Sequence, residues 1–185
     1  MLDVILMSIR PKWVAKILNG IKTKEIRKLF PKNFRGWVYI YCTKEKATRK
    51  EDKFTRGCNI WFNKGYAMNR QYLMNGKVVA RFWCDNVTEY INGGQWHDDD
   101  TFGSYDDYIK DNILEQSCLT EEELFTYCED LAFSAINITQ LEIFDKPLDL
   151  DCFIRKDKDG FAHTIKRPPQ SWCYIHGQIR GGNPL

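Results

Sequence analysis

The chain has 185 residues, 43% of them hydrophobic and 14% aromatic, and a formal net charge of only +2 from 27 basic and 25 acidic side chains. That length and apolar content exclude a disordered or fibrous chain and fit one domain over residues 1–185. The near-neutral balance excludes a globally basic nucleic-acid binder, so any electrostatic footprint must be local.

The segment Met1 to Met7 is apolar but short, carries Asp3 and leads into Arg10-Pro11; neither a signal peptide nor a membrane span is expected. Seven cysteines, scattered and without a C-x-x-C pair, fit reduced thiols in a cytoplasmic protein rather than a disulfide framework or zinc site.

Leu2 to Ser8 reads as a first strand. Pro11 suits a first helical turn, and Trp13, Val14, Ile17 and Leu18 make one apolar stripe that Asn19-Gly20 ends. Lys22 to Lys28 alternates as a short strand would, and Gly36 to Tyr41 is a clear strand. Thr43 to Arg56 reads as charged loop, and Asn63 to Leu73 as helical. Gly76 to Trp83 is again strand, Asn92-Gly93-Gly94 and His97 to Gly103 are loop, and Tyr105 to Glu115 and Leu124 to Leu131 are helices. Thr120 and Glu123 have the spacing of a capping box, in which two side chains satisfy exposed backbone donors. Ala135 to Phe144 returns to strand, Pro147 breaks it, and Trp172 to Ile175 is the final strand. Strands with a few separate helices and no regular β-α-β alternation predict an α+β fold with a small mixed barrel.

The stretch Ser8-Ile9-Arg10-Pro11 to Gly20-Ile21-Lys22-Thr23-Lys24-Glu25-Ile26-Arg27, a helix followed by G-x-K-T-x-E-x-R, resembles the opening signature of ASCH domains. Val38 to Lys44, Gly76 to Phe82, Ile138 to Leu148 and Arg167-Pro168-Pro169-Gln170-Ser171-Trp172-Cys173-Tyr174 follow in the family's order. The last block is similar to phage and Gram-positive bacterial members. The resemblance implies a PUA-like mixed β-barrel surrounded by several α-helices, with a cleft beside the first helix. It also implies a ligand drawn from single-stranded RNA, nucleotides or nucleosides; some small members hydrolyse acylated cytidines, and ribonuclease activity is attributed to others.

On a strand, Glu25 and Arg27 project from one face with Lys22 at its entrance, placing two cations around one carboxylate. Arginine grips phosphate through paired hydrogen bonds, and a carboxylate can accept from a base amino group. An ordinary solvated strand would show the same alternation; the motif favours the cleft. Arg10 and Lys12 stand at the helix start, where an anion is favoured, and Ser8 either caps that helix or faces the cleft. Tyr41, Cys42 and Thr43 close a buried strand, where side chains emerge into clefts. Gln170 and Ser171 offer polar contacts, and Trp172 either stacks on a base or belongs to the core.

Trp61, Phe62, Tyr66 and Tyr72, interleaved with Lys64 and Arg70, form a second aromatic-basic group, read first as core. His97 beside Asp98, Asp99 and Asp100 reads as a solvated acidic loop, with His163 and His176 far away. No metal and no cofactor is expected.

The leading reading is a monomeric RNA- or nucleotide-binding module. The alternatives are a hydrolase of a modified nucleoside or of RNA, using Lys22 and Glu25 as acid-base pair, and a regulatory protein-interaction module. The small amidohydrolases carry threonine where Glu25 falls, and use a glutamate from a later helical stretch; the comparable stretch of this chain, Ile113 to Thr120, contains Glu115.

Overall fold

The computed structural model describes residues 4–44, 61–63, 71–92, 94–95, 106–129 and 131–178. In chain order the elements are β1 (Val4–Ile9), α1 (Pro11–Leu18), β2 (Lys24–Arg27), β3 (Gly36–Cys42), β4 (Trp61–Asn63), β5 (Gln71–Leu73), β6 (Lys77–Cys84), β7 (Val87–Ile91) and β8 (Gly94–Gln95). There follow α2 (Asp107–Lys110), α3 (Ile113–Ser117), α4 (Glu121–Tyr127), β9 (Phe133–Asn137), β10 (Thr139–Leu148), a 3-10 turn (Leu150–Cys152), β11 (Phe153–Lys156), β12 (Ala162–Thr164), β13 (Trp172–Ile175) and β14 (Gly177–Gln178). Strands dominate and the helices are short and separate, which is the expected α+β class.

Every residue of β1 is buried, and the sheet order explains why. The largest sheet runs β10-β6-β3-β1-β13, with β1 parallel to β3 and antiparallel to β13. Because successive side chains point to opposite faces, Ile5, Met7 and Ile9 join Val38, Ile40, Val14 and Ile17 in one core, under α1. Leu6 joins Tyr39, Tyr41, Val78, Phe153 and Ile165 in a second core on the other face. A strand covered on both sides reads as a continuous apolar run, as Val4 to Met7 does. Each such aliphatic side chain contributes about 1.5–3 kcal/mol on burial.

A second sheet, β2-β9-β7-β8, is antiparallel throughout. Ile26, Tyr90 and Phe133 from it close a third core against Tyr108, Ile113 and Leu124 of the helices. The strands β12-β11-β14 make a three-stranded sheet and β4-β5 a two-stranded one. Among the described residues the ladders form these four sheets, each with open edges. No helix among them is long and apolar enough to cross a membrane.

Helix α1 starts and stops as its sequence requires, with Pro11 in the first turn and Gly20 at φ +70°, where only glycine is unstrained. Its N-cap is Arg10, without a side-chain cap bond, so Ser8 is not the cap. The box on α4 is complete: Glu123 N–H donates to Thr120 Oγ1, and Thr120 N–H donates to Glu123 Oε2, both at 3.1 Å.

Four expectations are corrected. The helix expected over 105–115 is divided within its described residues, 106–115, because Asn112 adopts a left-handed conformation (φ 55°) between α2 and α3. The helix expected to reach Leu131 ends at Tyr127. Asn63 and 71–73, expected as helix, lie in the β4–β5 ladder, with Asn63 opposite Gln71. Pro147 interrupts no strand: β10 is a sheet edge, irregular between Ile143 and Leu148, where a missing N–H costs no ladder bond.

Candidate functional site

Strand β2 is built to separate charge from core. Ile26 faces the third core, so Glu25 and Arg27, its neighbours in sequence, turn to the other side, toward the end of β1. The turn after Gly20 returns the chain to α1, where Lys22 N–H donates to Lys16 O at 3.1 Å. Lys22 is thereby driven inward, and its ammonium lies 5.3 Å from the centre of the Trp13 ring.

The three charged groups meet. Glu25 Oε2 is 3.3 Å from Lys22 Nζ, and Glu25 Oε1 is 3.1 Å from Arg27 Nη2. Lys22 Nζ also donates to Ser117 O at 2.7 Å, and Arg27 Nη2 donates to Ser8 O at 2.7 Å. Lys22 and Glu25 are 3% and 4% exposed, which removes the solvated-strand reading. Two cations and one carboxylate leave the cluster with one net positive charge. Within it, Arg27 Nε is buried and has no hydrogen-bond partner among the described residues, and Glu25 Oε2, although ion-paired with Lys22, receives no hydrogen bond there. A buried donor left unmatched is costly and therefore uncommon.

Ser8 ties the cluster to the C-terminal block. Its hydroxyl donates to Pro169 O at 2.7 Å and its N–H to Ser171 O at 2.9 Å. Ser171 thus contributes a carbonyl, while Gln170 is exposed. Trp172 Nε1 donates to Leu29 O at 2.8 Å, and its ring meets Phe30 and Tyr174 edge-on, each at 5.5 Å. These contacts place the ring in packing against Phe30 and Tyr174.

The remaining expected residues disperse. Arg10 is exposed. Lys12 pairs with Glu123 at 2.8 Å and lies 4.3 Å from the Trp13 ring centre. Thr23 has an exposed side chain and serves through its backbone, giving its N–H to Gln116 O at 2.8 Å and accepting from Ile138 N–H at 2.9 Å. Cys42 belongs to the first core rather than a cleft, because its position in β3 faces α1. Glu115 is exposed; α3 reaches Lys22 with the Ser117 carbonyl instead.

Thr43 lines a cleft of about 560 Å³ with Tyr41, Lys44, Asp149, Asp151 and Lys166, among others. Lys22, Glu25 and Arg27 are not among its walls. On the same face of the large sheet, Arg81 donates to Glu142 at 2.8 Å and to the Tyr39 hydroxyl at 3.2 Å, with its guanidinium 4.1 Å from the Trp37 ring centre. That group fastens β10 to the sheet, and burial raises the Tyr39 phenol.

His163 pairs with Asp157 at 2.8 Å, and His176 Nδ1 accepts from Lys156 N–H at 3.3 Å. No group of three or more metal-binding side chains occurs among the described residues. The run His97 to Asp100, and Lys64, Tyr66 and Arg70, lie outside them; Trp61, Phe62 and Tyr72 lie in the β4–β5 ladder.

Sequence reasoning missed the carbonyls of Ser117 and Pro169, since any residue supplies one, and missed Lys44, Lys166 and the two aspartates of the cleft. The signal for the last group was the D-L-D triplet at 149–151 and the lysine beside Ile165, which gain meaning only once β3 brings Thr43 to them.

No protein-family model matches the sequence, and no curated protein does. The fold does have relatives of known structure. A crystal structure of ASCH from Zymomonas mobilis superimposes with a TM-score of 0.55 over 94% of this chain and 87% of that one, at 14% identity. A serine-to-alanine mutant of that protein gives 0.53 at 14% identity, covering 94% and 88%. A tyrosine-to-phenylalanine mutant gives 0.54 at 13% identity, covering 94% and 90%. The chain therefore shares its fold with the ASCH protein of Zymomonas mobilis.

Proposed function

We propose that this chain is an ASCH-type, PUA-like domain that binds single-stranded RNA or a nucleotide at the Lys22–Glu25–Arg27 cluster, acting as a single-domain monomer. The observation that carries this reading is a buried guanidinium N–H without a partner among the described residues, Arg27 Nε, inside a net positive cluster whose carboxylate oxygen Glu25 Oε2 receives an ion pair from Lys22 but no hydrogen bond. A guanidinium N–H is a strong donor to a phosphate oxygen, and a carboxylate oxygen accepts from a base amino group. A nucleotide presents both partners on one molecule. A simple anion would satisfy the arginine and be repelled by the carboxylate.

A second reading, hydrolysis of a modified nucleoside or of RNA, draws on the 3.3 Å approach of Lys22 to Glu25. Against it, the Lys22 ammonium already donates to Ser117 O, and the hydroxyl of Thr23 lies outside the cluster. Binding is the better match.

The test is fluorescence anisotropy with short labelled single-stranded oligoribonucleotides, at two salt concentrations, for the wild type and for Arg27→Met and Lys22→Met. Native near-UV circular dichroism is the folding control. Salt-sensitive binding weakened about tenfold or more in either folded variant supports the reading. Wild-type-like affinity in both would overturn it. Turnover of acylated cytidine or of the oligonucleotide, lost in Lys22→Met, would move the assignment to the hydrolase.

A further inference from the structure

The cleft lined by Thr43 lies one loop away from the buried cluster. Pro168 is in its wall, the next residue, Pro169, accepts the Ser8 hydroxyl, and the Ser8 carbonyl accepts from Arg27. Its volume of about 560 Å³ is within the range of small-ligand sites, about 300–1,000 Å³. Resting on the RNA reading above, we propose that this cleft holds a ribonucleotide unit adjoining the one at the cluster, and that its aspartates read the ribose 2′-hydroxyl.

The lining dictates that class of ligand. Lys44 and Lys166 supply two ammonium groups from opposite segments of the chain, suited to a phosphodiester. Lys44 is not a free surface arm. Its aliphatic stem lies across the turn at Gly76, where φ is +80° and an added Cβ would stand 2.6 Å from Lys44 Cε. Asp149 and Asp151 line the same space; Asp149 is already paired with Lys77, whereas Asp151 has no ion-pair partner among the described residues. Two carboxylates repel a ligand that is only an anion. They suit one that carries its negative charge at one end and hydroxyl donors at the other, as a ribonucleotide does. The 2′-hydroxyl is the group by which a protein separates RNA from DNA. Tyr41, Ile165 and Pro168 add apolar surface for a sugar or base face.

The experiment compares a labelled single-stranded oligoribonucleotide with the deoxy oligomer of matching sequence. Wild type, Asp151→Asn, Lys44→Ala/Lys166→Ala and Arg27→Met are each measured at several salt concentrations. Lys44, Lys166 and Asp151 are exposed, so these variants are expected to fold, and their melting curves check it. The wild type is expected to favour the ribo oligomer by about tenfold. Asp151→Asn should reduce that preference at least about threefold. The double lysine variant should weaken both oligomers alike and flatten the salt dependence by about one unit per lysine. Equal ribo and deoxy affinities in the wild type overturn the proposal, as does wild-type behaviour of both cleft variants. If Arg27→Met abolishes binding while the cleft variants change nothing, the cluster reading stands and the cleft assignment falls. If the wild type binds neither oligomer, the RNA reading fails and the cleft assignment with it.

Discussion

At the scale of the residue, Glu25 is the member on which the cluster depends. It is the one carboxylate between two cations, in a place water hardly reaches. Breaking a buried ion pair by removing one partner costs about 3–5 kcal/mol, because the other charge stays uncompensated. Glu25→Ala is therefore expected to lower the urea-unfolding free energy by about that amount. Replacing Lys22 and Glu25 together by Met and Leu should cost clearly less than the sum of the single changes. Additive losses would show that the two groups do not act as a pair. The cysteines give a second residue-scale expectation. Burial pushes the Cys84 thiol up to about 12 and the Cys128 thiol up to about 11, and alkylation needs the thiolate. At pH 8 both should resist iodoacetamide in the native protein and react in urea, as peptide mass spectrometry would show; native-state labelling of either would contradict their burial. The charged side chains of the cluster were legible in the sequence, since Glu25 and Arg27 stand two apart in a strand pattern. Their depth was not. The buried ammonium of Lys22 is met by the carbonyl of Ser117, 95 positions away, and no local pattern encodes a backbone carbonyl arriving from that distance.

At the scale of the element, legibility followed how strongly each segment's side chains discriminate inside from outside. β1, α1, β3 and β6 carry long apolar runs or one clear stripe, and each was read close to its observed limits. β7 and β12 are mostly half-exposed or exposed, so they present little alternation and were not read at all. The break between α2 and α3 turns on Asn112, one of the residues that tolerates a left-handed backbone, and a helical pattern does not reveal which asparagine will use that freedom. The start of helix α4 is marked by a polar signal, the Thr120–Glu123 box, and it offers a test. Thr120→Ala removes an N-cap and should cost about 1 kcal/mol. Glu123 adds a pH dependence, because the Lys12 ammonium, and then the Thr120 N–H, hold its carboxyl below the ordinary value of 4.5. A group whose pKa is lower when folded contributes stability that is complete above 4.5 and is lost as pH falls through the folded value. Melting temperature should therefore fall more steeply below pH 4.5 in the wild type than in Lys12→Ala. Parallel acid profiles would mean that the Lys12–Glu123 pair contributes nothing, as is common for exposed pairs.

At the scale of the whole molecule, the strands β1 and β13, far apart in sequence, are joined in one sheet. β1 lies between β3 and β13, with Val4 opposite Ile175 and Met7 opposite Trp172. The first strand of the fold is thus completed by residues that lie more than a hundred and sixty positions later, and the same joint fixes the site. Ser8 is held by Ser171 and Pro169 on one side and by Arg27 on the other. Contacts of such separation must overcome loop-closure entropy before they stabilise anything, so folding should be slow for a chain of this size, in the range of milliseconds to seconds. A chain ended after Ser171 tests the joint directly. It keeps Arg27 and the carbonyls that hold Ser8, but strips β1 of one ladder and removes Trp172 from Phe30 and Ile175 from the second core. Without β13, the backbone N–H and C=O groups along that edge of β1 lose their ladder partners, while the side chains on both of its faces remain apolar. The shortened protein is expected to lose its near-UV dichroism and its cooperative melt while keeping far-UV strand signal, as a collapsed chain without fixed packing does. It should also lose affinity for oligoribonucleotides, since Ser8 and Arg27 would no longer be held in register. A cooperative transition with native near-UV bands would show instead that β1 and β3 organise the sheet without their C-terminal partner.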